Sequence, residues 1–118
     1  IEPLSISVEH AVPCGLIINE LITNALKYAF PPGRAGIIGV ELKMSGEKRV
    51  MLRVWDNGVG LPPAVDPQHS ETLGLTIVAT LIRQLRGNLT LQRVGGTGFT
   101  ISFVVPPVKT TQSVLEKK

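Results

Sequence analysis

The apolar residues of this chain repeat with two periods, and the order of those periods is what most restricts its fold. Residues 11–29 and 73–85 carry apolar residues at helical spacing. Each of these segments is followed by two runs that alternate as strands do: 37–45 and 49–55, then 89–94 and 99–105. This order predicts an α+β fold, a two-layer sandwich whose mixed, mostly antiparallel sheet has helices on one face.

Local signals predict where these elements begin and end. An alternating run at residues 4–8 predicts a short strand before the first helix, and Pro13 falls in the first turn of that helix. Gly87 supplies the stop for the second helix. Turns are predicted at residues 31–33, 46–48 and 95–98.

Length and composition favour one globular domain. The 118 residues are 43% apolar, which predicts a domain at residues 1–106 followed by a polar tail at 107–118. The net charge of +3 comes largely from lysines in that tail, so no basic patch for nucleic acid is predicted. The lone Cys14 excludes an internal disulfide and is typical of the cytosol. No apolar run is long enough to span a bilayer, and the start at Ile1 indicates a piece of a larger protein.

A polar stripe crosses the first predicted helix. Glu20, Asn24 and Lys27 stand at i, i+4 and i+7 and therefore share one face, bordered by Asn19 and Thr23. An ordinary solvated face is one interpretation. A functional site is the other interpretation, and it is favoured because residues of mediocre helix propensity stand in mid-helix. The residue types also suit a nucleotide: an amide oxygen suits Mg²⁺, a lysine suits phosphate, and a carboxylate can accept a proton.

The segment at residues 56–72 has no periodicity, which indicates a long loop. It opens with Asp56, Gly58 and Gly60, where a carboxylate could accept a hydrogen bond from an exocyclic amine and the glycines allow close approach of a ligand. A simple turn explains the same residues equally well. Neither GxxxxGK[ST] nor GxGxxG occurs, so a different nucleotide fold is required.

The start of the second helix is a candidate phosphate site. Ser70 or Thr72 can cap it, and Gly74 exposes backbone amides at the positive end of the helix dipole. An ordinary cap on an amphipathic helix is the alternative. Thr97, in the GGTG segment, is either part of a site or an incidental turn residue.

Four segments together resemble a known superfamily in order and spacing: NELITNALKYAF (19–30), DNGVGLP (56–62), TLGLTIV (72–78) and GGTGF (95–99). They are similar to the ATPase boxes shared by gyrase, heat-shock chaperones, mismatch-repair proteins and histidine kinases. The wording of the first and last segments most resembles bacterial sensor kinases with the variant dimerisation region. The resemblance implies ATP bound between the helices, beneath a lid at residues 62–73.

The resemblance also implies roles for the polar stripe. Glu20 would be the polarising or general-base carboxylate, and Asn24 the Mg²⁺ ligand. Lys27 would contact phosphate and Tyr28 would flank the nucleotide.

The other segments would complete the site. Asp56 and Thr97 would hold the adenine side, while Gly58 and Gly60 shape the pocket. Backbone at Gly74 and Leu75 would approach the phosphates.

The chain departs from the family pattern in its lid and its histidines. The family's glycine-rich lid end is reduced here to a single glycine, Gly74. The lid itself has no lysine or arginine, which leaves His69, Ser70 and Thr72 as its candidate phosphate contacts. Neither His10 nor His69 has the helical-hairpin surroundings of a phosphoacceptor.

Three functions remain open. The first is phosphoryl transfer from Mg²⁺-ATP to a histidine on the dimerisation domain of a homodimeric parent kinase, with a response regulator downstream. The second is an anti-sigma-factor-type serine kinase, and the third is a nucleotide-dependent binding module without transfer.

Overall fold

The computed structural model describes residues 6–33, 35–46, 48–59 and 73–105. Its elements are helix α1 (Val8–Asn24) with a π-helical continuation (Ala25–Ala29), strands β1 (Ile38–Ser45) and β2 (Arg49–Asp56), helix α2 (Leu73–Gln84), and strands β3 (Asn88–Gln92) and β4 (Thr97–Val104). The strands form one sheet in the order β1-β2-β4-β3, and all three pairings are antiparallel. The predicted α+β class is confirmed.

One hydrophobic core lies between the sheet and the helices. Alternate residues of β2 and β4 point into it and pair across the two strands, so that Leu52 lies opposite Ile101 and both are fully buried. Truncating either side chain to alanine would cost about 2–5 kcal/mol. The helices contribute Cys14, Ile17 and Leu21 from α1, and Leu75, Val78, Leu81, Ile82 and Leu85 from α2 and the residue after it.

Cys14 is a packing residue of this core. Burial raises the pKa of its thiol, which keeps the sulfur protonated at neutral pH. Because the thiolate is the reactive form, Cys14 is chemically inert in the folded chain.

The predicted strand at residues 4–8 is wrong at its described end. Ile6 and Ser7 lie outside any strand and Val8 is the first residue of α1, while residues 4 and 5 lie outside the described part. The Ser7 carbonyl accepts hydrogen bonds from the amides of His10 and Ala11 at 3.0 and 2.9 Å, which starts the helix here. The helix therefore begins earlier than predicted.

This earlier start moves Pro13 out of the first turn. With Val8 as the first helical residue, Pro13 is the sixth and lies in the second turn. The ring removes the amide that would pair with the carbonyl of Glu9, a residue on the exposed side of α1. Water can satisfy a carbonyl at such a position, so the helix continues through the proline.

Helix α2 ends where predicted, but the residue in the left-handed conformation is Arg86 and not Gly87. Arg86 has φ +55°, and the Arg86 and Gly87 amides bond the carbonyls of Arg83 and Ile82 at 3.0 and 2.9 Å. This pair of bonds is a Schellman motif with Arg86 in the position that glycine usually takes. A Cβ on Gly87 would lie 2.9 Å from the carbonyl oxygen of Ser102, so Gly87 is required for close packing on β4.

No helix in the described ranges is long and apolar enough to cross a membrane. Residues 62–72 of the predicted lid and the polar tail at 107–118 lie outside those ranges, whereas Leu73, the last residue of that lid, is the first residue of α2.

Candidate nucleotide site

The polar stripe lies where α1 changes its winding. Glu20 and Asn24 are half-buried on the last α-helical turns, and the chain from Ala25 to Ala29 is π-helical. A π-helical turn holds more residues than an α-helical turn, so the spacing that predicts one face for the stripe holds only as far as Asn24. Lys27 and Tyr28 lie on the wider turn and are exposed, with Tyr28 67% accessible.

Helix α2 begins directly above the half-buried part of the stripe. A Cβ built on Gly74 would lie 2.9 Å from Oε2 of Glu20 and 3.4 Å from Oδ1 of Asn24. Three residues predicted from two separate sequence segments therefore meet at one point. The first turn of α2 stands beside a carboxylate and an amide.

The last residues of β2 and the first of β4 form a second part of the site. Asp56 lies directly opposite Thr97 in the antiparallel register and opposite Ile38 on its other side. Thr97 is only 7% accessible, the one buried polar side chain among the described residues. Its place in β4, and not in the preceding turn, explains this burial. The strand pairing makes Asp56 and Thr97 direct neighbours in the sheet.

The carboxylate of Asp56 is oriented by its own loop. Its Oδ1 accepts a hydrogen bond of 2.8 Å from the backbone amide of Gly58. This Asx turn fixes the side chain at the mouth of the site. The other carboxylate oxygen has lone pairs of its own and is the one suited to accept from a ligand amine.

The loop after β2 is tied to the end of the first helix. The amide of Val59 donates to the carbonyl of Ala29 at 2.8 Å, and a Cβ on Gly58 would overlap Ala29. Gly58 is therefore needed for backbone contact between loop and helix, which brings Asp56 alongside the π-helical segment. The sequence predicted a role for Gly58 but gave none to Ala29, whose small size is its only signal.

Two further residues hold this loop and were missed by the sequence reasoning. Gly96, at φ +128°, packs on the backbone of Asp56, and a Cβ there would lie 2.9 Å from Cα of Asn57. Oδ1 of Asn57 accepts from the amide of Ile37 at 2.8 Å. The GGTG and DNG segments were recognised as turns, but their residue types alone do not show that the two turns pack on each other.

Other predicted residues are placed only in part. Leu75 is 4% accessible with its side chain in the core, so its backbone is the part that can approach a ligand. Gly60 and the lid candidates His69, Ser70 and Thr72 lie outside the described residues. His10, predicted not to be a phosphoacceptor, stacks on Phe103 with ring centroids 6.1 Å apart.

The donor set around Gly74 fits a hard cation held jointly with phosphate. No group of three His, Cys, Asp or Glu side chains that could hold a metal occurs in residues 6–33, 35–46, 48–59 and 73–105. Mg²⁺ needs no such cage, because it is usually held by one or two protein oxygens together with phosphates and water. Glu20 and Asn24, next to the space that Gly74 leaves open, are suited to that arrangement.

The sequence of this chain is similar to those of known proteins. Residues 9–109 match the family described as histidine kinase-, DNA gyrase B- and HSP90-like ATPase. The chain is 30% identical over 105 residues to blue-light-activated histidine kinase 2 of Erythrobacter litoralis, covering 89% of this chain and 30% of that protein. It is 33% identical over 93 residues to the sensor histidine kinase PdtaS of Mycobacterium tuberculosis, covering 77% and 18%.

Solved structures give the same relationship. The histidine kinase domain of the Erythrobacter litoralis EL346 blue-light-activated histidine kinase superposes with a TM-score of 0.81 at 28% identity, covering 88% of this chain and 48% of that one. This chain spans only 30% and 18% of the lengths of blue-light-activated histidine kinase 2 and PdtaS, respectively.

Proposed function

Because this chain belongs to the histidine kinase-, DNA gyrase B- and HSP90-like ATPase family, as the ATP-binding catalytic domain of a sensor histidine kinase, we propose that it binds Mg²⁺-ATP and donates the terminal phosphoryl group to a histidine on a separate region of a longer kinase. The observation that carries the proposal is the meeting of Gly74 with Glu20 and Asn24 at the start of α2. Amides, a carboxylate and an amide oxygen at one point suit a triphosphate and its metal.

The adenine end of the nucleotide is assigned to Asp56 and Thr97. Asp56 is fixed by the Gly58 amide and can accept from the exocyclic amine of adenine. Guanine carries a carbonyl at that position, which would face the carboxylate with acceptor against acceptor. The base is bracketed by Gly58 and Gly60, and Tyr28 flanks it from the exposed π-helical turn.

The phosphate end is assigned to the first turn of α2. Backbone amides at Gly74 and Leu75 bind phosphate oxygens at the positive end of the helix dipole. Lys27 reaches the phosphates from the π-helical turn, where it is exposed and free to reorient. In this arrangement the phosphates are bound by the amino terminus of α2 and by the ammonium group of Lys27.

Asn24 is the protein ligand for Mg²⁺, and Glu20 is the polarising or general-base carboxylate. When bound, the ion neutralises charge on the phosphates. Glu20 accepts a proton or a hydrogen bond from the attacking group and orients it towards the phosphorus. Gly74 leaves this carboxylate in place, since a Cβ there would lie 2.9 Å from Oε2 of Glu20 and push it aside.

The partners belong to the longer protein. We place the acceptor histidine on a dimerisation domain of a homodimeric parent, with a response regulator as the next phosphoryl acceptor. The relatives are histidine kinases of which this chain matches under a third, which supports a separate acceptor region. The catalytic domain occupies residues 1–106 with a polar tail at 107–118, and it works in the cytoplasm, where ATP is supplied.

Phosphoryl transfer in trans tests this proposal. The chain is incubated with ATP labelled at the γ-phosphate and with the dimerisation region of its parent as a separate polypeptide. Label should appear on that polypeptide as an acid-labile phosphoramidate. Glu20→Gln should retain ATP binding and lose transfer, whereas the matched variant Glu41→Gln, which changes an exposed glutamate on β1, should transfer normally.

Each contrary outcome identifies another function. An acid-stable label would indicate a serine kinase. Normal ATP binding without label on any acceptor would indicate a nucleotide-dependent binding module.

A further inference from the structure

A cavity of about 340 Å³ lies at the end of the sheet opposite the nucleotide site. Its walls include Arg49 at the start of β2 and Ser102 in β4, together with His10 and Arg86. Arg49 is seven residues from Asp56 along one strand, which places the two sites roughly 23 Å apart. The cavity is therefore separate from the nucleotide site, and its side chains have no role in the function proposed above.

The lining of the cavity is cationic and polar. Among the described residues, it includes two arginines and a histidine but no acidic residue. Within the described part of the chain, neither Arg49 nor Arg86 forms an ion pair. Two guanidinium groups near one concave surface repel each other unless an anion lies between them, so this lining favours a negatively charged ligand.

Arg86 occupies a conformation that its residue type disfavours. It is the one non-glycine residue with positive φ among the residues described. Glycine would adopt φ +55° without strain and is the usual residue at this helix end. Strained backbone that persists at a binding surface indicates a role for the side chain that it presents. The guanidinium of Arg86 is that side chain.

His10 forms a rigid wall of the same cavity. Its Nδ1 lies 2.7 Å from Oγ of Ser7, and its ring stacks on Phe103 with an interplanar angle of 9°. The ring is thus held in one orientation without a ligand. Phe103 and Leu85 add apolar surface beside it, so the cavity offers both charge and hydrophobic contact.

The neighbouring helix end selects among anions. Leu85 and Arg86 follow the C-terminus of α2, where the helix dipole is negative. This negative potential disfavours a phosphate dianion. A peptide carboxylate carries a single charge, matches the fork of a guanidinium, and is accompanied by backbone groups that can form further hydrogen bonds.

We propose that this cavity binds an acidic segment of a protein partner, with a carboxylate held between Arg49 and Arg86 and an apolar neighbour packed on His10. Asn88 and Ser102 supply polar contacts to the peptide backbone. The volume lies at the lower end of the range for ligand pockets and accommodates two or three side chains. This site needs neither ATP nor phosphoryl transfer, so its success or failure is independent of the function proposed above.

A titration followed by amide chemical shifts tests the proposal on the 118-residue chain. The probe is the blocked tetrapeptide acetyl-Glu-Leu-Glu-Leu-amide, with its glutamine counterpart and inorganic phosphate as comparisons. The acidic peptide should shift amides at residues 84–88 and 102–104, equally well with a saturating ATP analogue present. The glutamine peptide and phosphate should bind at least about tenfold more weakly, as expected for loss of a charge-assisted bond or of the peptide contacts.

Variants keep a folding defect from being mistaken for loss of binding. Arg86→Gly relieves the left-handed strain, so it should fold at least as stably while lowering affinity for the acidic peptide about tenfold. Arg49→Gln should also lower affinity for the acidic peptide about tenfold. Arg83→Gln is the matched control, because it removes one charge three residues earlier from a side chain that donates to Thr80, and it should leave affinity unchanged.

Two results would overturn the assignment. Equal losses of peptide affinity in Arg83→Gln and Arg86→Gly would show that the peptide responds to overall charge and not to this cavity. Phosphate binding as tightly as the peptide would make the cavity a nonselective anion site.

Discussion

Replacing Gly74 with alanine probes the contact on which the nucleotide site depends. The added Cβ would lie 2.9 Å from Oε2 of Glu20, so the carboxylate must move by about half an ångström to reach an ordinary contact of 3.4 Å. That carboxylate is the end of a flexible side chain and can yield cheaply. Alanine also favours a helix over glycine by up to about 1 kcal/mol. Stability should therefore stay constant or rise.

The same change should weaken nucleotide binding. The Cβ enters the space beside Glu20 and Asn24 where phosphate would approach the backbone, and loss of one charge-assisted hydrogen bond costs about 1.5–3 kcal/mol. We expect the dissociation constant for Mg²⁺-ATP to rise roughly 10- to 100-fold by isothermal titration calorimetry, with thermal unfolding measured on the same samples.

Gly15→Ala is the matched control for this change. Gly15 lies inside α1, and a Cβ there would meet nothing within 4 Å. It should gain about 0.5–1 kcal/mol of stability and leave ATP affinity unchanged. Unchanged affinity in Gly74→Ala, or an equal loss in both variants, would refute the assignment of Gly74 to the phosphates.

Three further predictions concern the remaining parts of the site. Titration should show preference for ATP over GTP, and Asp56→Asn should weaken ATP with or without Mg²⁺ alike; equal affinities for the two nucleotides would remove the role of Asp56. Asn24→Ala should lose Mg²⁺-dependent binding whereas Glu20→Gln spares binding, and identical behaviour would contradict the division of roles. Hydrogen exchange at residues 65–73 should slow with Mg²⁺ and an ATP analogue and less with ADP. The preference for ATP over ADP should be modest, and a large one that survives Lys27→Ala would show a misplaced phosphate site.

The fold was largely predictable because hydrophobic period and turn residues act locally. The Gly46 turn lies between β1 and β2 as predicted, with φ +71°. The strand predicted at residues 4–8 is wrong at residues 6–8, because alternation over a few residues is a weaker signal than a helix start and the Ser7 carbonyl accepts the first hydrogen bonds of α1. The left-handed conformation of Arg86 at the end of α2 was not predicted, and its reason is tertiary, since contact with β4 requires glycine at position 87.

The relative positions of the candidate site residues were predictable only in part. The spacing of Glu20 and Asn24 could be read from helical geometry, and the pairing of Asp56 with Thr97 follows from strand register. The π-helical winding after Asn24 could not be predicted, because the spacing argument assumes a uniform α-helix. Packing of Gly96 on the loop after β2 depends on two turns distant in sequence, which no local pattern encodes.

The most direct test of the central claim is a map of backbone amide shifts on adding Mg²⁺ and a non-hydrolysable ATP analogue to the labelled chain. The account predicts the largest changes at Gly58, Gly74 and Leu75 and at residues 95–98, with little change at residues 84–88. Largest changes at residues 84–88, or saturable binding that leaves Gly58 and Gly74 unperturbed, would contradict it.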